Sequence, residues 1–191
     1  LTESALSALL EGCRAGRESA LKAFYEHFQG YALAVCLAYA ADRDEALEMA
    51  HDGFLKAFKN LPELREEGAL KTWFRRILVN TAIDYHRRRQ RRAVVLSLSK
   101  DRPDEAADTV PAAEADALEQ LAAEDVLRAL ARLPEMPRVV FSLYVLEGYS
   151  HREIAGRLGL AESTARAYLS EANARLRRLL ATSFPHANKP R

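Results

Sequence analysis

The chain is short of the residues that mark several protein classes. It has two cysteines, Cys13 and Cys36, too few for a disulfide framework or a Cys-rich zinc site. Both sit among helix-forming residues, where ordinary packing is expected of a free thiol. The five histidines, at 27, 51, 86, 151 and 186, show no His-x-x-x-His spacing, so neither a metal nor another cofactor is expected. Eight glycines and seven prolines in 191 residues exclude collagen-like and low-complexity chains. The longest apolar run, Tyr31–Ala41, has eleven residues, against the ~20 that a membrane span needs, so no membrane insertion is expected. The opening Leu1-Thr2-Glu3-Ser4 has no basic stretch and no apolar core of a secretory signal, and its lack of an initiator Met suggests a trimmed sequence. A cytoplasmic location is expected. Catalytic patterns are missing too: no Gly-rich phosphate loop, no paired carboxylates facing a cleft, and no nucleophile with a base at readable spacing. An enzyme is not expected.

What is present is a soluble composition, 49% apolar and 29% charged, with length for one large domain or two small ones. The net charge of +1 conceals strong sorting. Residues 1–70 carry net −5, 71–92 net +7, 93–125 net −7 and 126–180 net +4. Basic blocks separated by an acidic spacer point to a polyanionic partner, while each block alone reads equally well as a solvated helix face.

Apolar spacing is helical almost throughout, and no alternating run argues for a strand. Helices are expected over 4–12, 19–41 and from Asp42 or Asp44 to about Asn60, where Pro62 stops the pattern. The third helix offers Leu47, Ala50, Phe54, Leu55 and Phe58 as its inward set. After a loop, Pro62–Gly68, a long helix runs from Leu70 to about Arg89, with Leu70, Phe74, Ile77, Leu78, Ala82 and Tyr85 as its stripe. Residues 93–112 combine two prolines with many acids and no helical period, the composition of a flexible tether. Helical pattern resumes near Ala113, breaks at Leu133-Pro134, and restarts with Pro137 as a first helical residue. The expected fold is all-α: two small helical domains, 1–92 and 113–184, joined by the acidic linker 93–112 and followed by a tail, 185–191.

The sharpest local pattern lies at 147–170, EGYSHREIAGRLGLAESTARAYLS. Ser150 and Glu153 have the spacing of a capping box that opens a helix. Ile154, Ala155 and Leu158 face inward, Gly159 suits a left-handed turn, and Leu160 plugs it. A second helix turns Ala165 and Leu169 inward. This is a helix-turn-helix pattern, whose second helix would enter a major groove with Glu162, Ser163, Arg166, Ala167 and Ser170 exposed. Ala161 stands where a Ser or Thr cap is usual, a loss of about 1 kcal/mol. A purely structural helical hairpin is the plain alternative.

Taken in order, three stretches resemble the extracytoplasmic-function (ECF) sigma factors of the sigma-70 family, the promoter-specificity subunits of bacterial RNA polymerase. Asp42–Phe58, with Glu48, Met49, Ala50, His51, Asp52 and Phe54, resembles the family's core-binding helix. Lys71–Arg92 (KTWFRRILVNTAIDYHRRRQRR) resembles its promoter-melting segment, and Leu133–Leu180 its helix-turn-helix region. The resemblance implies core polymerase and promoter DNA as partners, with an anti-sigma factor as a further partner class. It implies that Glu48, Asp52 and Phe54 dock on core polymerase. It implies that the Pro62–Lys71 loop and the next helix hold the −10 element through Trp73 and Asn80, with Arg75, Arg76, Arg87, Arg88 and Arg91 on phosphates. Phe74 is expected in the core, with Trp73 either core or stacking platform and Asn80 either a base contact or a hydrogen-bonded interior residue. For the −35 element it implies Glu162, Ser163, Arg166, Ala167, Ser170 and Glu171. Tyr168, Glu171 and Asn173 depart from positions that the family often fills with basic residues or Ser. A stand-alone helix-turn-helix regulator explains 147–178 but leaves Lys71–Arg92 and the acidic helix without a role.

Overall fold

The computed structural model describes residues 2–64, 66–97 and 126–183, all of their regular structure being helical. The chain divides into two compact units. The first comprises Leu1–Cys36 with Asp44–Tyr85, and the second comprises Leu37–Arg43 with the chain from His86 onward.

In the first unit, α1 (Glu3–Arg14), α2 (Glu18–Leu37), α3 (Arg43–Asn60) and the first half of α4 (Leu70–Ser97) follow one another. Thr2 caps α1, its hydroxyl accepting from the Ala5 N–H at 3.4 Å. The core is aromatic. Phe24 and Phe74 are fully buried, their ring centroids 5.8 Å apart, with Phe28 at 4.6 Å from Phe24 and Phe54 at 5.1 Å from Phe74. These tilted and edge-on pairs add to the gain from burial. Gly53 lets α3 and α4 meet closely: a Cβ there would stand 2.5 Å from Leu78 Cδ2. Cys13 and Cys36 are buried and unpaired with one another, and burial pushes the Cys36 thiol up to about 12.

The helices differ from the sequence reading in four places. Leu55, expected inward, is 68% exposed; Ala46, Met49, Gly53 and Ala57 share the inward face of α3 with Ala50 and Phe54. Small residues fill that face because α4 approaches so closely, and an apolar count cannot see this. The second helix stops at Leu37 rather than 41, because the carbonyls of Ala38 and Tyr39 are claimed by side chains of the second unit. The long helix continues to Ser97, past the expected Arg89, so 93–97 of the expected linker are helical; 98–112 lie outside the described residues, as do 113–125 and the tail. Pro137 is the third residue of its helix, not the first. A first turn tolerates it because its N–H groups have no helical partner in any case.

The second unit contains α5 (Glu135–Val145), α6 (His151–Leu158) and α7 (Glu162–Ser183). Val139, Val140, Leu143, Ile154, Leu158, Ala165 and Ala172 form its apolar core. Beside them it buries polar groups. Arg138, 2% exposed, donates to the carbonyls of Tyr39 at 3.4 Å and Leu133 at 3.3 Å. The Ser142 hydroxyl donates to Ala38 O at 2.6 Å. Buried His86 sets Nδ1 2.8 Å from Glu135 Oε1 and Nε2 3.1 Å from Tyr39 O. Both ring nitrogens thus lie within hydrogen-bond reach of an oxygen, one carboxylate and one carbonyl.

Candidate nucleic-acid interface

The helix-turn-helix is assembled by local chemistry. The Ser150 hydroxyl accepts from the Glu153 N–H at 3.3 Å, and the Glu153 carboxylate accepts from the Ser150 N–H at 2.8 Å, closing the expected capping box. The hydrogen bonds from the Ser150 side chain and backbone hold the Glu153 carboxyl below its ordinary range. Gly159 ends α6 at φ 72, ψ 35, a left-handed conformation that glycine adopts without a steric penalty. The Leu160 N–H then returns to Ala155 O at 2.9 Å. Arg157 lies over the Tyr149 ring, 4.3 Å from its centroid, which fixes the approach to the turn.

The second helix of the motif, α7, begins at Glu162 as expected and buries Ala165, with Leu169 half-buried. Glu162, Ser163, Arg166, Ala167 and Ser170 are all exposed, and their spacing places them along one stripe opposite Ala165 and Ala172. Arg166 pairs with Glu162 one turn earlier. That hydrogen bond is the main cause of the lowered Glu162 carboxyl pKa; against a smaller desolvation cost, the charges of Arg166, His151 and Arg152 assist. Glu171, half-buried at the edge of the stripe, pairs with Arg175 at 2.9 Å. Arg152 was not foreseen as a site residue. Exposed in the first turn of α6, it places positive charge near the start of α7, and the signal for it was its position just after the cap.

On α4, Phe74 is core as expected. Trp73 and Asn80 are half-buried and Arg76 is exposed. At 100° per residue these three share a face, and Arg87 and Arg91 continue the same helical stripe. Arg75 and Arg88 fall on other faces of the helix. The structure therefore groups Trp73, Arg76, Asn80, Arg87 and Arg91 and separates Arg75 and Arg88 from them. Asp84, also on that stripe, ties back to Lys56 of α3 at 2.9 Å.

On α3, Glu48 is exposed and Asp52 half-exposed. Phe54 is 3% exposed, inside the aromatic cluster, so it supports the helix from within and presents no surface. Leu55 stands on the face of Glu48 and Asp52, at steps of four and three residues. The spacing alone carried this signal; it was masked by assigning Leu55 to the inward set.

Two family models match the chain: Sigma-70 region 2 over residues 24–92 and Sigma-70, region 4, over residues 123–176. The chain belongs to the sigma-70 family, in its ECF group. Among similar proteins, the probable RNA polymerase sigma factor RfaY of Xanthomonas campestris pv. campestris is 29% identical over 82% of this chain and 39% of its own length. The ECF RNA polymerase sigma factor SigM of Mycobacterium tuberculosis is 34% identical over 73% of this chain and 64% of its own. The RNA polymerase sigma-H factor of Pseudomonas aeruginosa is 26% identical over 90% of this chain and 92% of its own. The chain thus spans less than two thirds of the first two relatives and nearly all of the third. In sigma-70 terms, α2 from Phe24, all of α3 and α4 through Arg92 lie in region 2, whereas α1 precedes it. Region 4 contains α5, α6 and α7 through Leu176. No helix among the described residues is long and apolar enough to cross a membrane.

Proposed function

We propose that this chain is a promoter-specificity factor that binds bacterial core RNA polymerase and recognises −10 and −35 DNA. Residues 1–92 act as the core-binding and −10 part and 113–184 as the −35 part, with the acidic segment between them. The observation that carries the reading is the separation of chemically distinct faces. Acidic α3 presents Glu48 and Asp52 around an exposed Leu55. An apolar side chain beside two carboxylates suits a protein-docking surface with a polar rim and repels a phosphate backbone. The α4 stripe joins one tryptophan and one amide to arginines, a platform for stacking an unpaired base beside cations for phosphate. The exposed stripe of α7 suits a major groove. A stand-alone repressor has use only for the last.

Run-off transcription with purified core polymerase tests the proposal. Promoter-dependent transcripts are expected, with loss of core co-purification when Glu48 and Asp52 are both changed to Lys. Duplex binding without initiation would favour the stand-alone regulator. Core binding unaffected by the double reversal would remove α3 from the docking surface.

A further inference from the structure

Helix α1 lies ahead of the span matched to region 2, and the proposed function gives none of its side chains a contact. Its packing is nevertheless directed at one place. Ser7, Leu10 and Arg14 succeed one another at steps of three and four residues, so they share a face of α1. Leu10 is fully buried. On either side of it, the two polar residues grip the segment between α3 and α4. The Ser7 hydroxyl donates to Glu67 Oε2. The Arg14 guanidinium donates to the Leu64 carbonyl at 3.1 Å and pairs with Glu67 Oε1 at 3.4 Å.

Among the described residues, that segment's own backbone is tied by Leu64 N–H to Leu61 O at 3.2 Å and by Ala69 N–H to Glu66 O at 3.1 Å. It contains two single 3-10 turns, Leu61–Glu63 and Glu67–Ala69, with Leu64 and Glu66 extended between them. Leu61 and Leu64 anchor its first half by burial, while Pro62, Glu63, Glu66 and Gly68 are exposed. Its second half has no buried residue before Leu70. Each residue held in one backbone conformation costs about 1–2 kcal/mol of entropy, so a segment with few buried anchors moves unless something external fixes it. A guanidinium suits the task, because its planar fork serves a carbonyl and a carboxylate three residues apart at once.

We infer that α1 is a brace for the loop before α4: Ser7 and Arg14, acting through Leu64 and Glu67, are positioning residues that set this chain's selectivity among −10 sequences. The inference rests on the proposed reading, in which the 62–71 loop and α4 hold the −10 strand. Neither residue touches DNA in this account. They fix the loop that does, and a loosened loop samples conformations that accept several bases where the fixed one accepts few.

The test uses the full chain with purified core polymerase and two promoter libraries, one randomised over the −10 element and one over the −35 element. Sequencing the transcripts gives base preferences for wild type, Arg14→Ala, Arg14→Lys and Glu67→Gln. Arg14→Ala and Glu67→Gln are expected to flatten the preference at one or more −10 positions at least threefold while −35 preferences stay unchanged. Arg14→Lys, which keeps the charge but replaces the planar fork with a compact ammonium on a different reach, is expected to recover part of it. A purely structural role gives a different result: output falls at all promoters alike, with both sets of preferences intact, and that would overturn the inference. So would unchanged −10 preferences in both Arg14→Ala and Glu67→Gln. Because Glu67→Gln preserves side-chain size and leaves Arg14 bonded to Leu64, it keeps the test open should Arg14→Ala fold poorly. A wild-type protein that yields no promoter-dependent transcripts would overturn the sigma-factor reading itself, an outcome distinct from preferences that are present but indifferent to the brace.

Discussion

The two units bury different chemistry. The first closes over phenylalanines and small residues, and Thr81 is its one buried polar residue among those described, its hydroxyl donating to Ile77 O one turn back at 2.8 Å. The second buries Arg138, His86 and Ser142 and spends all three on backbone carbonyls or a carboxylate. An aromatic core is held by area and shape, so it forgives changes that conserve volume. A core built on buried donors is held by satisfaction, and removing one member leaves others stranded in a low-dielectric interior.

The largest effect expected from this contrast is at Phe74. Phe74→Ala should cost about 4 kcal/mol, the usual range for a buried aromatic, read by urea unfolding through Trp73, the chain's sole tryptophan. Phe74→Leu should recover much of that loss. Arg138→Ala comes next, at about 3 kcal/mol, read by circular-dichroism melting. Here the apolar replacement Arg138→Met should recover little, because the Leu133 carbonyl loses its guanidinium donor either way and the Tyr39 carbonyl is left with His86. Equal recovery by the two apolar replacements would erase the distinction between the cores.

Acid provides a third, smaller contrast. Burial raises the Glu135 carboxyl, but the hydrogen bond from His86 and the charges of His86, Arg89 and Arg138 together bring it below its ordinary value of 4.5. A carboxyl depressed in the folded state stabilises above its unfolded value, and that stability is lost as pH falls toward the folded one. The melting-temperature gap between wild type and Glu135→Gln should therefore be level from pH ~7 to ~5 and narrow below ~4.5. A gap that widens in acid would place the carboxylate in a different environment. The smallest effect is expected at the turn: Gly159→Ala forces a Cβ into the left-handed region at φ 72 and should cost about 1 kcal/mol. No measurable cost would mean the turn relaxes to another conformation.

Legibility in the sequence followed the same division. The helix-turn-helix was readable almost to the residue because its determinants are local: Ser150 with Glu153, Gly159, and the helix starting at Glu162. The face of α3 was misread at Leu55 because Gly53, Ala46 and Ala57 are what α4 packs against, and small residues carry little weight in an apolar pattern. The early end of α2 was unreadable for a related reason. Tyr31–Ala41 is uniformly helix-forming, and what stops the helix at Leu37 is a set of donors about a hundred residues later. The stripe of Trp73, Asn80 and the arginines needed only the helical period, once α4 was known to be unbroken. The brace from Ser7 and Arg14 to Glu67 left no trace, since its partners stand 60 and 53 residues apart.

The central claim is that the α4 face reads unpaired promoter DNA once the chain is docked on polymerase, and Asn80 tests it most directly. The measurement is capture of a labelled single-stranded −10 oligonucleotide by holoenzyme carrying Asn80→Ala, beside the melting temperature of the free variant. The account predicts core binding unchanged, with capture weakened by about 1–3 kcal/mol, the worth of a base contact. A variant that melts early yet captures the strand as well as wild type would contradict it, making Asn80 a structural residue and leaving the face without its reader.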